Sequence, residues 1–234
     1  MIHSISNSPL NLAPIPWNNM PCNDQWVGEI IFNGIDFEYN GSEVFQLTRK
    51  KSSGQIRVDV NYSASKIKSS KAKIVVLLES PHLEEFKVVG YPYNTAPAWG
   101  NTGDRFDSQF IKVLNRHIKN IGSKYLLKNR QAFDVYIVNA IQYQCSLGIS
   151  PINPSVRNGL FSYLWNLQPD SFYQDLIDRL NFIRPDIIIN ACTAKLKNRH
   201  CNANSIMPLL NNKNIAFFTA SSHMSVWGKN TKLF

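Results

Sequence analysis

The stretch KIVVLLE, residues 73–79, decides the fold because it is a continuous apolar run that ends in a carboxylate. Three later stretches share this composition: DVYIVNAI (134–141), DIIINAC (186–192) and NIAFFTA (214–220). Strands that are buried on both faces have such sequences, as in a parallel sheet covered by helices. Helical patterns surround these runs, at roughly 104–121, 154–165, 169–183 and 194–211. The alternation implies right-handed crossovers and predicts a three-layer α/β/α fold around a central, mostly parallel four-stranded sheet.

The N-terminal part of the chain has a different pattern, in which apolar and polar residues alternate. Four short stretches show it: WVGEIIF (26–32), GIDFEY (34–39), SEVFQL (42–47) and QIRVDVNY (55–62). Asn-Gly pairs at 33–34 and 40–41 separate the first three stretches, and Asn-Gly between alternating runs is a strong hairpin signal. We therefore expect an N-terminal arm and an antiparallel β elaboration over 1–70, followed by a catalytic domain over 71–234.

The positive charge of the chain is concentrated in its second part. The 234 residues carry 25 Lys and Arg against 16 Asp and Glu, which gives a net charge of +9. Two stretches, 112–130 and 187–234, contain basic but no acidic side chains. A basic face of this size suits a polyanion, of which nucleic acid is the commonest. A basic surface that only keeps the protein soluble fits the charge equally well.

Composition argues against several classes of protein. Apolar residues make up 44% of the chain, which is enough for a full core, so global disorder is not expected. No apolar run approaches the ~20 residues that a membrane-spanning helix needs, and the N-terminus lacks the features of a secretory signal. The four cysteines, at 22, 145, 192 and 201, have neither zinc-site nor disulfide spacing. Reduced thiols in a cytoplasmic protein are the expectation.

Polar side chains follow each of the four predicted parallel strands. In open α/β sheets, ligands bind beyond the carboxyl ends of the strands, so chemistry is expected there. These ends carry Glu79, Asn139, Asn190 and His223. A carboxylate at the end of an apolar strand is costly unless it is used, which favours a functional Glu79 over a turn residue. Asn139 and Asn190 could instead satisfy backbone groups, and for Asn190 this is the favoured interpretation.

Four short motifs at these positions resemble those of the uracil-DNA glycosylase superfamily. The first strand of that family ends in G-E-A-P-G or G-Q-D-P-Y-H, and LESPH stands here at 78–82. The family's P-F-x-G-x-x-G loop is matched by PAWGNTG at 97–103. An asparagine ends its second strand, as in IVNAIQ at 137–142, and H-P-S-x-x-S follows its last strand, as in SHMS at 222–225. The four motifs occur in the family's order.

The resemblance implies a role for each matched residue. Glu79 would stabilise an oxocarbenium-like sugar and orient or deprotonate a water. His223 would donate a hydrogen bond to the leaving base, and Asn139 would read the Watson–Crick edge of a flipped base. Ser80 and His82 would line the pocket. No cofactor or metal is implied, and the cysteine spacing does not fit the family's iron–sulfur members.

The chain departs from the family at the base-stacking position. A phenylalanine of the family is replaced by Ala98, which would leave room for a bulkier base. The stacking ring would then come from Trp99, Tyr91 or Tyr93.

Contacts with DNA are expected from six residues near the last two strands: Lys195, Lys197, Arg199, Ser225, Met224 and Trp227. The basic side chains would neutralise phosphates. Met224 stands where the family has proline. Met224 and Trp227 would either insert between bases or pack as ordinary core residues, and the sequence leaves both interpretations open.

The hypothesis from sequence is a monofunctional DNA glycosylase that flips and excises a modified base and leaves an abasic site. The enlarged pocket is similar to that of superfamily members that remove glucosylated hydroxymethylcytosine from phage DNA in bacterial defence. DNA would be its partner, and neither a membrane nor a protein partner is indicated. Removal of uracil or another deaminated base is the nearest alternative. A non-catalytic DNA-binding module and an α/β hydrolase or transferase of a small glycosylated substrate also stay open.

Overall fold

The apolar runs form strands, and helices connect them. The structure is a computed structural model. It describes residues 22–40, 70–81, 85, 98, 101–143, 145, 154–167 and 171–234. The strands in these ranges are β1 (Gln25–Phe32), β2 (Phe37–Tyr39), β3 (Ala72–Leu78), β4 (Gln131–Asn139), β5 (Ile187–Asn190) and β6 (Ala216–Thr219). The α-helices are α1 (Asn101–Arg116), α2 (Ile118–Lys124), α3 (Pro154–Trp165), α4 (Phe172–Ile183), α5 (Ala194–Arg199) and α6 (Ala203–Ile206). Short 3-10 helices cover Met207–Leu209 and Met224–Val226.

All six strands belong to one mixed sheet with the order β2-β1-β4-β3-β5-β6. The four strands of the apolar runs pair in parallel, whereas β1 pairs antiparallel with β4, from Gln25 opposite Ile137 to Phe32 opposite Gln131. The α/β class is confirmed. The finer prediction of a four-stranded sheet is not confirmed, because the N-terminal hairpin pairs with the open edge of β4 and makes a mixed sheet of six strands among the described residues. The division of the chain at 70 into two domains stays a prediction, and strands from both sides of it share this sheet.

The turn between β1 and β2 follows the predicted Asn-Gly signal. The Asn33 side chain accepts hydrogen bonds from the N–H groups of Ile35 and Asp36, at 3.0 and 2.9 Å. Gly34 has a φ of +101°, a backbone conformation that residues other than glycine rarely adopt. The other two predicted N-terminal strands, at 42–47 and 55–62, lie outside the described residues.

The parallel strands are buried on both faces, as their continuous apolar sequences predict. On one face, Val76 and Leu78 of β3 belong to a core cluster that includes Phe110 of α1. On the other face, Leu77 belongs to a second cluster that includes Leu180 of α4. The apolar residues that recur at helical spacing along α1 are all buried: Phe106, Phe110, Val113 and Leu114. No helix among the described residues is long and apolar enough to cross a bilayer.

The parallel pairing brings the ends of four strands together. Leu78 lies opposite Asn139, Leu77 lies opposite Asn190, and Asn190 lies opposite Thr219. We call this the carboxyl edge, and it comprises Glu79, residues 139–142, residues 190–193 and residues 220–223. It is the edge at which the sequence predicts the chemistry.

Candidate active site

Glu79 lies directly after β3 and is 6% exposed. Its carboxylate Oε2 accepts a hydrogen bond from the N–H of Thr193 at 2.7 Å, and its carbonyl accepts one from the N–H of Ile141 at 3.0 Å. Thr193 is the residue before α5. The carboxylate therefore accepts a hydrogen bond from one of the N–H groups that have no partner within the helix at its start. These bonds fix the orientation of the acid at the carboxyl edge.

Asn139, the last residue of β4, is buried without a hydrogen-bond partner for its side chain. It is 1% exposed, and neither Nδ2 nor Oδ1 has a partner among the described residues. A buried polar group that is left unpaired costs about 1–3 kcal/mol. Native proteins rarely carry such groups without a reason, and a ligand that pairs with the amide is one such reason.

Asn190 occupies the corresponding position on β5 and is fully used by the protein itself. Its Oδ1 accepts a hydrogen bond from the N–H of Cys192 at 3.1 Å, and its Nδ2 donates to the carbonyl of Cys201. The interpretation of Asn190 as a residue that satisfies backbone groups is confirmed. Asn139 differs from it in having both amide atoms unpaired.

His223 caps the 3-10 helix that follows β6. Its Nδ1 accepts a hydrogen bond from the N–H of Ser225 at 3.2 Å and lies 2.8 Å from the Ser225 hydroxyl. Because a backbone N–H can only donate, Nδ1 is unprotonated and the neutral ring carries its proton on Nε2. The Nε1 of Trp227 donates to the carbonyl of Ser222 at 3.1 Å and restrains the same loop. The imidazole is thus a hydrogen-bond donor of fixed tautomer.

Met224 and Trp227 are core residues. They are 0% and 1% exposed, and both belong to the cluster between the sheet and α1. The Trp227 ring stacks on Phe110, with centroids 6.4 Å apart and planes 9° apart. The prediction that these two side chains contact DNA is therefore corrected in favour of ordinary packing. Ser225 orients His223, and its predicted contact with DNA stays a prediction.

Ala98 is buried in the same core cluster as α1. Its φ is +61°, and its N–H donates to the carboxylate of Glu85 at 2.8 Å. A larger side chain here would have to displace core neighbours, so the idea that Ala98 only opens a pocket is incomplete. Four other predicted site residues lie outside the described residues: His82, Tyr91, Tyr93 and Trp99. Ser80 lies in the described segment after β3 and is half-buried.

The three predicted phosphate contacts on α5 do not share one surface. Lys195 and Arg199 are exposed, whereas Lys197 is 5% exposed and donates from Nζ to the carbonyl of Ala220. Burial lowers the pKa of Lys197. The prediction that Lys197 contacts DNA phosphates is corrected, because its ammonium group is used inside the protein.

Lys195 and Arg199 border a groove between α3 and α5 with a volume of about 190 Å³. The other lining residues are Asn158, Gly159, Ser162 and Leu196. Ser162 Oγ lies 2.9 Å from Nε2 of His200, a buried histidine whose pKa is lowered by burial and by the charge of Arg199. The groove lies along α5, the helix whose preceding residue, Thr193, donates its N–H to Glu79.

The basic residues of the stretch 112–130 do not form one surface. Arg116 donates to the carbonyls of Gly228 and Lys229, and Lys124 lies over the ring of Phe218 at 4.8 Å. Lys128 and Arg130 lie in the turn before β4, at the opposite edge of the sheet from Asn139. The strand between them spans about 26 Å at the usual rise per residue. These two residues therefore do not border the candidate site.

Two further groups at the carboxyl edge have no signal in the sequence. Burial raises the pKa of the Cys192 thiol well above its usual value, and the neighbouring Cys201 and the charge of Glu79 raise it further. The thiol therefore stays protonated beside the acid. Arg179 of α4 donates to the carbonyl oxygens of Asn139 and Ala140, at 3.1 and 3.2 Å.

Known proteins offer no direct guide to these residues. No protein-family model, no curated protein and no solved structure gave a significant match to this chain. Among the described residues, no group of three His, Cys, Asp or Glu side chains is arranged to hold a metal ion.

Proposed function

We propose that this protein is a DNA glycosylase that excises a modified pyrimidine by hydrolysis of the N-glycosidic bond. The observation that carries the proposal is the buried amide of Asn139, whose two polar atoms have no partner among the described residues, at the same sheet edge as Glu79. An amide supplies one donor and one acceptor side by side, which is what the Watson–Crick edge of a pyrimidine requires. Because the amide can flip, it suits cytosine and uracil derivatives alike.

The chemistry follows from the three polar groups. Glu79 stabilises the positive charge that develops on the sugar and orients a water that adds to C1′. The C1′–N bond breaks, the base leaves with its electron pair, and the proton that the water loses on adding to C1′ balances the proton that the departing base takes up. The Nε2–H of His223 donates to the departing base and is worth about 3 kcal/mol in the transition state, the usual contribution of an oxyanion donor.

DNA reaches the site across the exposed cations of α5. Lys195 and Arg199 are four residues apart on the helix, so they lie on one face, two and six residues after Thr193. Phosphate neutralisation by such side chains makes binding depend on salt. Lys197 is not part of this surface.

The finer assignment is the removal of glucosylated hydroxymethylcytosine from phage DNA, with uracil or another deaminated base as the alternative. It is supported by the resemblance in the four motifs and by the small side chain of Ala98 at the family's stacking position. Amide recognition by Asn139 is compatible with both bases. The size of the group at the pyrimidine C5 is therefore what the test must vary.

The test incubates the protein with DNA that carries glucosylated hydroxymethylcytosine, hydroxymethylcytosine, cytosine or uracil at matched positions. Released bases are identified by mass spectrometry, and abasic sites are scored as alkali-sensitive breaks. The Glu79→Gln protein serves as the inactive control. Binding of DNA without release of any base would instead identify a non-catalytic DNA-binding module. Activity on a small glycoside that DNA does not inhibit would identify the hydrolase alternative.

A further inference from the structure

The buried guanidinium of Arg179 lies against the strand end that carries Asn139. We propose that Arg179 is a positioning residue for the candidate active site, which it serves by holding residues 139–142 in place together with Asp24. The proposal rests on the proposed function, since this segment carries the amide that would read the base. We call the arrangement the Arg179 clamp: Arg179, Asp24 and the carbonyl oxygens of Asn139 and Ala140.

All three guanidinium nitrogens of Arg179 have hydrogen-bond partners within the protein. Nη1 donates to both carboxylate oxygens of Asp24, at 2.8 and 3.0 Å. Nη2 donates to the carbonyl oxygens of Asn139 and Ala140, at 3.1 and 3.2 Å, and Nε donates to Asp175 at 2.8 Å. Each of the three guanidinium nitrogens thus donates within the protein, and the Arg179 side chain is 15% exposed. Its role is internal.

The N-terminal segment completes the clamp from the other side. The Nε2 of Gln142 donates to Asp24 at 3.3 Å, and the N–H of Cys22 donates to the carbonyl of Gln142 at 2.8 Å. Residues 139–142 are therefore held between α4 and the segment before β1. This part of the N-terminal region, predicted as an elaboration, contacts the candidate site directly.

The clamp also reaches Glu79. The N–H of Ala140 donates to the carbonyl of Leu78 at 2.7 Å, and the N–H of Ile141 donates to the carbonyl of Glu79 at 3.0 Å. The peptide groups that Arg179 holds are thus bonded to the segment that carries the acid. A shift of residues 139–142 would move Asn139 and Glu79 relative to a bound nucleotide at once.

The energetics of the ion pair favour a positioning role over simple stabilisation. Burial opposes the charge of Arg179, but Asp24 and Asp175 outweigh it and raise the pKa of the guanidinium. Burial raises the pKa of Asp24, and the attraction of Arg179 offsets only part of that rise. A buried ion pair of this kind adds little stability compared with apolar residues of similar size. Its directional bonds to two strand-end carbonyls are what apolar residues would not supply.

The experiment compares Arg179→Lys and Asp24→Asn with Asp175→Asn in the full chain. Lysine keeps the positive charge but loses the planar fork, and Asp24→Asn removes the charge but keeps an acceptor oxygen. Asp175→Asn is the matched control, because it changes the more exposed partner and leaves the bonds to Asp24 and to the carbonyls. Single-turnover base release, the Kd for DNA and the melting temperature are measured. We expect release to slow about tenfold or more in the first two variants, with Kd within about threefold, and the control to match wild type.

Hydrogen exchange separates failure of the clamp from failure of the proposed function. The amides of Ala140 and Ile141 should exchange about tenfold faster in Arg179→Lys and Asp24→Asn than in Asp175→Asn. This readout does not need catalysis, so a wild-type protein that releases no base would overturn the glycosylase assignment and leave the clamp to be decided by exchange. Unchanged exchange would overturn the clamp. Normal base release below the melting transition, in variants that melt earlier, would reduce Arg179 to a structural residue and also overturn the proposal.

Discussion

Replacement of Asn139 by leucine is expected to make the free protein more stable and to abolish the proposed release of bases. Leucine has the same branched arrangement of four side-chain heavy atoms but is somewhat larger and has no polar atoms, whereas the Asn139 amide has two buried atoms without partners among the described residues. Each unpaired buried group costs about 1–3 kcal/mol, so removal of both should raise the free energy of unfolding by about 2 kcal/mol after some loss to imperfect packing. For a chain of this length, such a gain corresponds to a rise in melting temperature of about 4–8 °C.

The matched control is Asn190→Leu, at the same edge of the sheet on the neighbouring strand. Asn190 bonds to the N–H of Cys192 and to the carbonyl of Cys201, so its loss leaves two buried backbone groups unpaired. We expect that change to lower the free energy of unfolding by about 3 kcal/mol. Thermal and urea unfolding of both variants are measured beside base release. If Asn139→Leu destabilises the protein as much as Asn190→Leu, the Asn139 amide is paired in the free protein and the argument for a ligand at this position is refuted.

Three other predictions test separate parts of the site. Glu79→Gln should abolish base release and leave DNA affinity within about threefold, because the carboxylate acts on the transition state; near-normal turnover would remove Glu79 from the mechanism. The double change Lys195→Gln and Arg199→Gln should lower the slope of log K against log salt by about 2, with Lys213→Gln, an exposed cation elsewhere, as a control without effect on base release; an unchanged slope would mean that α5 does not meet the DNA backbone. Ala98→Phe should lower stability by about 1–3 kcal/mol by overpacking the core, so its effect on large and small bases is compared as kcat/KM below the melting transition; equal loss on both bases would show that position 98 does not set substrate size.

The strands and most helix positions could be predicted because they depend on local patterns. Continuous apolar runs correspond to β3, β4, β5 and β6, since a strand covered on both faces has no polar side to show. The hairpin of β1 and β2 follows from Asn-Gly. The sequence pattern did not predict that this hairpin pairs with β4. Alternation shows that one face of a strand is buried, but not which other strand it pairs with. Among the described residues, the sheet therefore has six strands instead of the predicted four.

The roles of individual side chains at the candidate site could not be predicted from local sequence either. Asn139 and Asn190 both end a buried strand and both precede alanine, yet only Asn190 finds backbone partners. Lys195 and Lys197 lie two residues apart on α5, yet one is exposed and the other is bonded inside the protein. No local signal separates the two asparagines, and helical periodicity shows only that the two lysines lie on roughly opposite faces of α5, not which face is covered. The difference comes from the segments that pack against them.

The order of apolar and polar residues is enough to define the α/β class, the carboxyl edge and the presence of Glu79, Asn139 and His223 on it. Tertiary structure alone decides which of these polar groups form hydrogen bonds within the protein and which do not. The hydrogen bond between Arg179 and Asp24 joins residues that are 155 positions apart in the chain. The periodicity of apolar residues cannot predict a contact at such a separation. Burial patterns are local because they follow from the geometry of a single strand or helix, whereas hydrogen-bond satisfaction is not local, because each donor must meet an acceptor that another part of the chain brings to it.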